Sequence, residues 1–283
     1  RRQKFLAGPA GAGRGNRPWE VCVELLQVKV VLYWSGVVVF LLLELGFSYR
    51  VPTVSKARRW LTNIPLSLVN GAIYQVVFAA LILRLFAHVE QQGLGLLNLW
   101  PPAAWQKVVL GILVLDFSIY LWHLLNHVVP FLWRFHRVHH SDLNMDVSTA
   151  NRFHIGEFLV SGLVRLAAIY TFGIPILAYI LFEILVNLSI QFHHSSIRLP
   201  VNFERLWMLL FVPPLLHRIH HSVRINERDS NYGVLFSLWD RLLGTLRYDV
   251  GQEGIVIGIG SHRQFEELGF WQMLAMPFTK RSR

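Results

Sequence analysis

The stretch 108–133 is apolar enough to cross a bilayer, yet one face of it carries Asp116, Tyr120, His123 and His127. Spacings of four, three and four place these side chains in a single helical stripe. An ionisable group inside a span is costly and marks a functional site by default. Two further windows indicate what that function involves. His136, His139 and His140 form H-x-x-H-H, and His217, His220 and His221 repeat the pattern. Together with His123 and His127 they account for eight of the thirteen histidines. On a helix each window is expected to aim its imidazoles at one spot. Neutral imidazole suits iron, zinc, copper and nickel, and eight ring nitrogens exceed what one ion uses. Two metals is the expected count. His193 and His194 are adjacent and point in different directions from a helix; one is expected to join the set, and His194 is preferred.

Composition places this chemistry in a membrane. Of 283 residues, 53% are hydrophobic and only 16% charged, against about 25% charged in soluble domains. Apolar runs occur at 30–47, interrupted by Glu44, at 64–87, at 108–133, and at 158–171 and 174–188, the last two joined by Phe172-Gly-Ile-Pro175. The fourth is short for a full crossing, so that pair is expected to form a tilted hairpin. Trp100-Pro-Pro breaks the chain between the second and third runs. The fold class is therefore all-α and integral to the membrane: four to five hydrophobic helices under a cytosolic helical cap that holds a histidine-rich dinuclear metal site. Residues 1–28 read as a flexible tail, 29–250 as the membrane domain and 251–283 as a C-terminal interfacial segment, in which Phe270–Phe278 precedes Lys280, Arg281 and Arg283.

The net charge of +10 fits basic flanks of membrane helices better than nucleic-acid binding. Arg50, Lys56, Arg58, Arg59, Arg134 and Arg137 flank the spans on the side where the histidine windows gather. By the positive-inside rule that side is cytoplasmic; the basic tail, with Arg1, Arg2, Lys4, Arg14 and Arg17, falls on the other side and disagrees. Cys22 is the single cysteine, which leaves no intrachain disulfide and no thiolate cluster.

Among the accessory residues, Asp116 is expected to orient a ligand imidazole, with pairing to Tyr120 as the plain alternative. Ser141, Asp142, Ser222 and Asn231 follow the histidine windows and read equally as supports of the ligands or as caps and turn formers. His154 is open between ligand, support and surface. His88 and His262 read as isolated polar residues.

The runs Asp116-Phe-Ser-Ile-Tyr-Leu-Trp-His123, Trp133-Arg-Phe-His-Arg-Val-His-His-Ser-Asp142, Arg152-Phe-His154, His217-Arg-Ile-His-His-Ser222, Asp229-Ser-Asn-Tyr-Gly233 and Leu238-Trp-Asp-Arg-Leu-Leu-Gly-Thr245 closely resemble the sterol desaturase/fatty acid hydroxylase superfamily. Leu124 and Ile155 depart from the residues many members carry there. The resemblance implies a membrane di-iron oxygenase using O₂ to hydroxylate or desaturate a lipid, sterol or fatty-acyl C–H bond. It puts His123, His127, His136, His139, His140, His194, His217, His220 and His221 on ligand positions; Asp116 and Asn231, from their places beside the windows, are the candidates for a catalytic role. Two iron ions are implied, with zinc able to replace them in purified samples. No His-Pro-Gly-Gly haem motif is present, so a separate electron donor protein is expected. A zinc-dependent membrane hydrolase, a metal or haem transporter, and a non-catalytic metal-binding protein are the rival readings.

Overall fold

The computed structural model describes residues 18–99 and 102–279. The basic residues 1–17, the break at Trp100-Pro101, and Lys280, Arg281 and Arg283 lie outside the described residues. Five helices are long and apolar enough to cross a membrane. They are α1 (Pro18–Gly46), α2 (Lys56–Gln92, continued by the short α3, Leu96–Leu99), α4 (Ala104–Val128), α6 (Ile155–Phe172) and α7 (Ile176–His194). The protein is an all-helical integral membrane protein.

Helix α1 starts at Pro18, ten residues inside the stretch expected to be a tail. The third apolar run ends at Val128 rather than 133. Val129 precedes Pro130 and takes an extended conformation, and Pro130 then opens α5 (Pro130–His140) from its first turn. That is the usual effect of proline on its predecessor and at a helix start. The fourth run extends back to Ile155 and on to Phe172, and the fifth runs on to His194, so α6 and α7 reach 18 and 19 residues and each is long enough to span. The expectation of an incomplete hairpin is corrected accordingly.

Helices α1, α4 and α7 all end at the face where α2, α5 and α6 begin. Their packing buries Phe78, Phe86, Leu115, Ile169, Ile180 and Phe182 in one core. At the opposite end two turns meet: Gly95 and Gly173 have φ of 96° and 68°, and a Cβ on Gly95 would lie 2.1 Å from the Gly173 nitrogen. Gly162 lets α6 close on α2, since a Cβ there would sit 2.5 Å from the Phe78 ring. Gly162→Val is expected to destabilise the protein by about 1–3 kcal/mol through overpacking, read as a lower midpoint of thermal unfolding in detergent.

Beyond the spans, short helices α8 (Val201–Trp207), α9 (Pro214–His220), α10 (Ile225–Arg228), α11 (Leu238–Leu242) and α12 (Phe270–Ala275) form the cap. The segment Phe270–Phe278 does more than lie at an interface. Met273 and Met276 are buried with Leu66, Trp133 and Val138, and the Arg137 guanidinium donates to the carbonyls of Met276 and Thr279.

A sealed polar plate ties the start of α2 to the chain after α5. Arg59, 1% exposed, donates from Nε and Nη2 to the two Asp142 oxygens at 2.6 and 2.7 Å and from Nη1 to Asp146 at 2.7 Å. Asn63 donates to Asp142 and Ser148. Arg152 donates to Asn63, Ser141 and the Val138 carbonyl.

Candidate metal centre

Helix ends deliver the imidazoles. His123 and His127 occupy the last turns of α4, His193 and His194 the end of α7, and the two H-x-x-H-H windows close α5 and α9. The rings form two buried groups, His123, His127, His136, His140 and His220 in one, and His139, His194, His217 and His221 in the other, each with ligand atoms within 4.8 Å of one another. All nine histidines expected to converge do so. Their partition corrects the expectation that each window serves one spot. In α5, His136 and His140, four apart, face the first group while His139 faces the second. In α9 and the residue after it, His217 and His221 face the second group while His220 crosses to the first.

In six of the nine rings the nitrogen that points away from the groups is held individually; Nδ1 of His140, His217 and His221 meets no partner among the described residues. Nδ1–H of His123, His139, His194 and His220 donates to the carbonyls of Tyr232, Arg152, Ile190 and Ser230 at 2.8, 3.2, 2.7 and 2.7 Å. His136 donates to Glu157 at 2.8 Å and His127 to Asp229 at 3.3 Å. A ring that donates from Nδ1 while neutral presents a bare lone pair at Nε2. His139 and His194 therefore face each other with two lone pairs 3.1 Å apart, an arrangement that a cation between them would stabilise. The Nε2 atoms of His123 and His220 are buried without a hydrogen-bond partner. Burial, and then neighbouring imidazoles, push His139, His140, His217, His220 and His221 well below the usual histidine range. They are neutral, the form a metal requires. The residues thus fit two ions with nitrogen ligands and hydrogen-bonded outer partners.

Asp116 does not touch an imidazole. It accepts from the Leu235 and Phe236 amides, both at 3.2 Å, and from the Trp239 indole at 2.8 Å, so its expected role is corrected from orienting a ring to anchoring the loop after Tyr232. Asp240, which the sequence did not single out, holds the amides of Tyr232 and Gly233 at 2.8 and 2.7 Å, and the Tyr232 carbonyl holds His123. Asn231 has φ of +56°. Its side chain donates to the Leu216 and Arg247 carbonyls and accepts from the Arg247 amide. It aims nothing at the rings; it shapes the turn whose two flanking carbonyls, Ser230 and Tyr232, orient His220 and His123.

Ser222 donates to Glu227, and Ser141 and Asp142 belong to the plate around Arg59. His154 caps α6, accepting from the Gly156 amide through Nδ1 and donating to the Leu274 carbonyl through Nε2, so neither nitrogen is left for a metal. His262 lies apart from both groups, beside Ser261, and His88 is exposed. Glu157 and Asp229 are outer partners that spacing did not reveal; Asp229 lies in the Asp229-Ser-Asn-Tyr-Gly233 run, which was the available signal.

A cavity of about 470 Å³ opens beside the rings between α1, α2, α4, α6 and α7, with His123, His136, His139, His193, His194 and His217 on its wall. Trp34, Ile119, Trp122 and Val186 supply part of the remaining lining.

The fatty acid hydroxylase family matches residues 108–245, the segment that contains all nine rings. The chain is 32% identical to the ornithine lipid hydroxylase OlsE of Rhizobium tropici over 66% of its length and 55% of that protein. Both matches support the sterol desaturase/fatty acid hydroxylase superfamily. The chain is 29% identical to human cholesterol 25-hydroxylase over 50% of this chain and 51% of that one. It is also 29% identical to human alkylglycerol monooxygenase, over 56% and 33%. The chain thus spans about half the length of the first two relatives. No solved structure gives a significant match.

Proposed function

We propose that the protein is an O₂-dependent di-iron oxygenase that hydroxylates a C–H bond of a membrane lipid, with desaturation as the variant outcome. The observation that carries this reading is the five-plus-four set of buried imidazoles bordering a cavity between membrane helices. Iron bound there would supply O₂ reduction and hydrogen abstraction, which no side chain in the cavity provides. The chain's own residues do the rest. Hydrogen bonds donated from the outward Nδ1 atoms fix the tautomer of six of the rings, the helix ends hold all nine in place, and the apolar wall positions an aliphatic chain and keeps water away. The similarity to an ornithine lipid hydroxylase, a cholesterol 25-hydroxylase and an alkylglycerol monooxygenase favours hydroxylation.

Inserting one oxygen atom of O₂ and releasing the other as water consumes two electrons and two protons beyond the substrate. A separate donor protein would deliver the electrons. Arg50, Lys56, Arg58 and Arg263 line a cleft of about 630 Å³ on the cap side, which suits an acidic donor. The same basic residues support a cytoplasmic position for the metal side. We also read 29–250 as the catalytic unit, with the segment from 251 onwards bracing its cap.

A zinc hydrolase typically uses three protein ligands and one open position, and a transporter needs ligands spread along a path. Nine rings gathered at one end of the spans fit neither. The test is lipid mass spectrometry of a host expressing the wild type or His220→Ala. A wild-type-specific lipid heavier by one oxygen, or lighter by two hydrogens, is expected. Ester cleavage supported by zinc without O₂, and no such lipid, would replace this reading with the hydrolase.

A further inference from the structure

The cavity that borders the histidines also reaches Lys29 of α1, Arg165 of α6 and Glu183 of α7. Glu183 and His194 lie eleven positions apart on one continuous helix, about 16 Å at the usual helical rise. Arg165 Nε donates to one Glu183 oxygen at 3.0 Å and Lys29 Nζ to the other at 3.1 Å. Two cations share one carboxylate within the spanning region, so the group carries a net positive charge. The other carboxylate on the cavity wall, Glu157, is engaged by His136. Arg165 also spends Nη1 on Ser161; among the described residues no acceptor meets its Nη2.

The contrast with Arg59 matters. Arg59 is sealed at 1% exposure and faces two carboxylates. The side chains of Lys29, Arg165 and Glu183 keep 28%, 17% and 10% exposure and border empty volume. An uncompensated charge inside a span calls for a partner, and here the cavity leaves room for one.

We infer that Lys29, Arg165 and Glu183 form an anion-recognition site for the substrate. The ligand is an acyl lipid whose carboxylate or phosphate docks on Lys29 and Arg165 while its chain runs along α7 toward the histidines. This narrows the substrate class of the oxygenase reading and rests on it for the word substrate. The separation places the reacting carbon on the order of ten bonds from the anionic group. A sterol, with a neutral hydroxyl, would leave the excess charge unanswered.

The experiment reads binding alone, on full-length protein in neutral detergent after chelator treatment. Trp34 and Trp122 line the cavity, so a bromine-bearing ligand there quenches their fluorescence. The probes are dibrominated stearic acid and its methyl ester. In the wild type the acid should quench at about tenfold lower concentration than the ester, the scale of one charge-assisted contact. Arg165→Met and Lys29→Met should bring the acid to the level of the ester without moving the ester. Glu183→Gln should make the acid bind more tightly. Lys29, the most exposed of the three, guards against a folding failure of Arg165→Met. Equal quenching by acid and ester in the wild type, or variants that weaken both alike, would overturn the proposal in favour of a helix-packing triad. Competition by inorganic phosphate would overturn it in favour of a free-anion site. Because no turnover is measured, a host lipid profile without oxidised product would refute the oxygenase reading while leaving this result standing.

Discussion

His220→Ala is expected to abolish lipid oxidation and to lower bound metal from two ions per chain toward one. His220 approaches the first ring group from α9, and its Nε2 is buried with no protein partner. Its removal opens the five-ring group on the side that no other part of α9 supplies. His139→Ala should act the same way on the second group, where only three rings would remain. Losing an outer partner of a ligand typically costs 10–100-fold in metal affinity or activity; loss of the ligand itself should exceed that. Glu157→Gln, which weakens the support of His136 while keeping all nine rings, should fall in the 10–100-fold range. His262→Ala should leave both properties unchanged. Metal analysis of purified protein alongside product measurement checks all four, and full metal content with full turnover in His220→Ala would refute the assignment.

The second large effect is on stability. Arg59→Met is expected to cost about 3–5 kcal/mol, because it takes from buried Asp142 its paired cation and leaves Asp146 with Lys56 alone. Burial alone would raise the Asp142 carboxyl, but the Arg59 charge outweighs it and holds the group well below the usual carboxylate range. A carboxyl depressed on folding contributes stability that is fully present above its unfolded value, about 3.9. That contribution is lost as pH falls through the lower folded value. Wild-type stability should therefore hold from neutral pH to about 4 as far as this group is concerned. In Arg59→Met the loss should begin at higher pH, since Asp142 no longer has its strongest partner. Unfolding midpoints across pH in detergent measure both. Arg59→Lys should recover only part of the loss, because one ammonium cannot reproduce the planar fork that meets both Asp142 oxygens and Asp146.

The spans and the set of converging histidines were legible because both depend on local pattern. Apolar runs and histidines three or four apart need no knowledge of what lies across the molecule. The partition into five and four was not legible. It depends on α5 and α9 running between the two groups, so that the middle ring of each window, His139 or His220, faces the other group, and this is a matter of tertiary packing. The role of Asp116 was misread for a related reason: its partners are two backbone amides and an indole more than a hundred residues away. The carbonyls that fix His123, His139, His194 and His220 carry no side-chain signature. Asp240 was hidden in the same way, since it acts on main-chain amides. The helix boundary at Val129 was readable from Pro130, but a continuous apolar pattern masked it.

The hold of the Tyr232 carbonyl on His123, with Asp240 and Asp116 securing the turn from either side, also sets an order of assembly. Helix α4 enters the bilayer more than a hundred residues before the segment that completes its ligand geometry has been synthesised, an interval of several seconds at ~5–20 residues per second. Until then the α4 histidines stand in a half-built pocket. The five-ring group reaches its full geometry only after the chain has passed Asp240, so a nascent chain stalled before that point should be inserted but short of metal at that group.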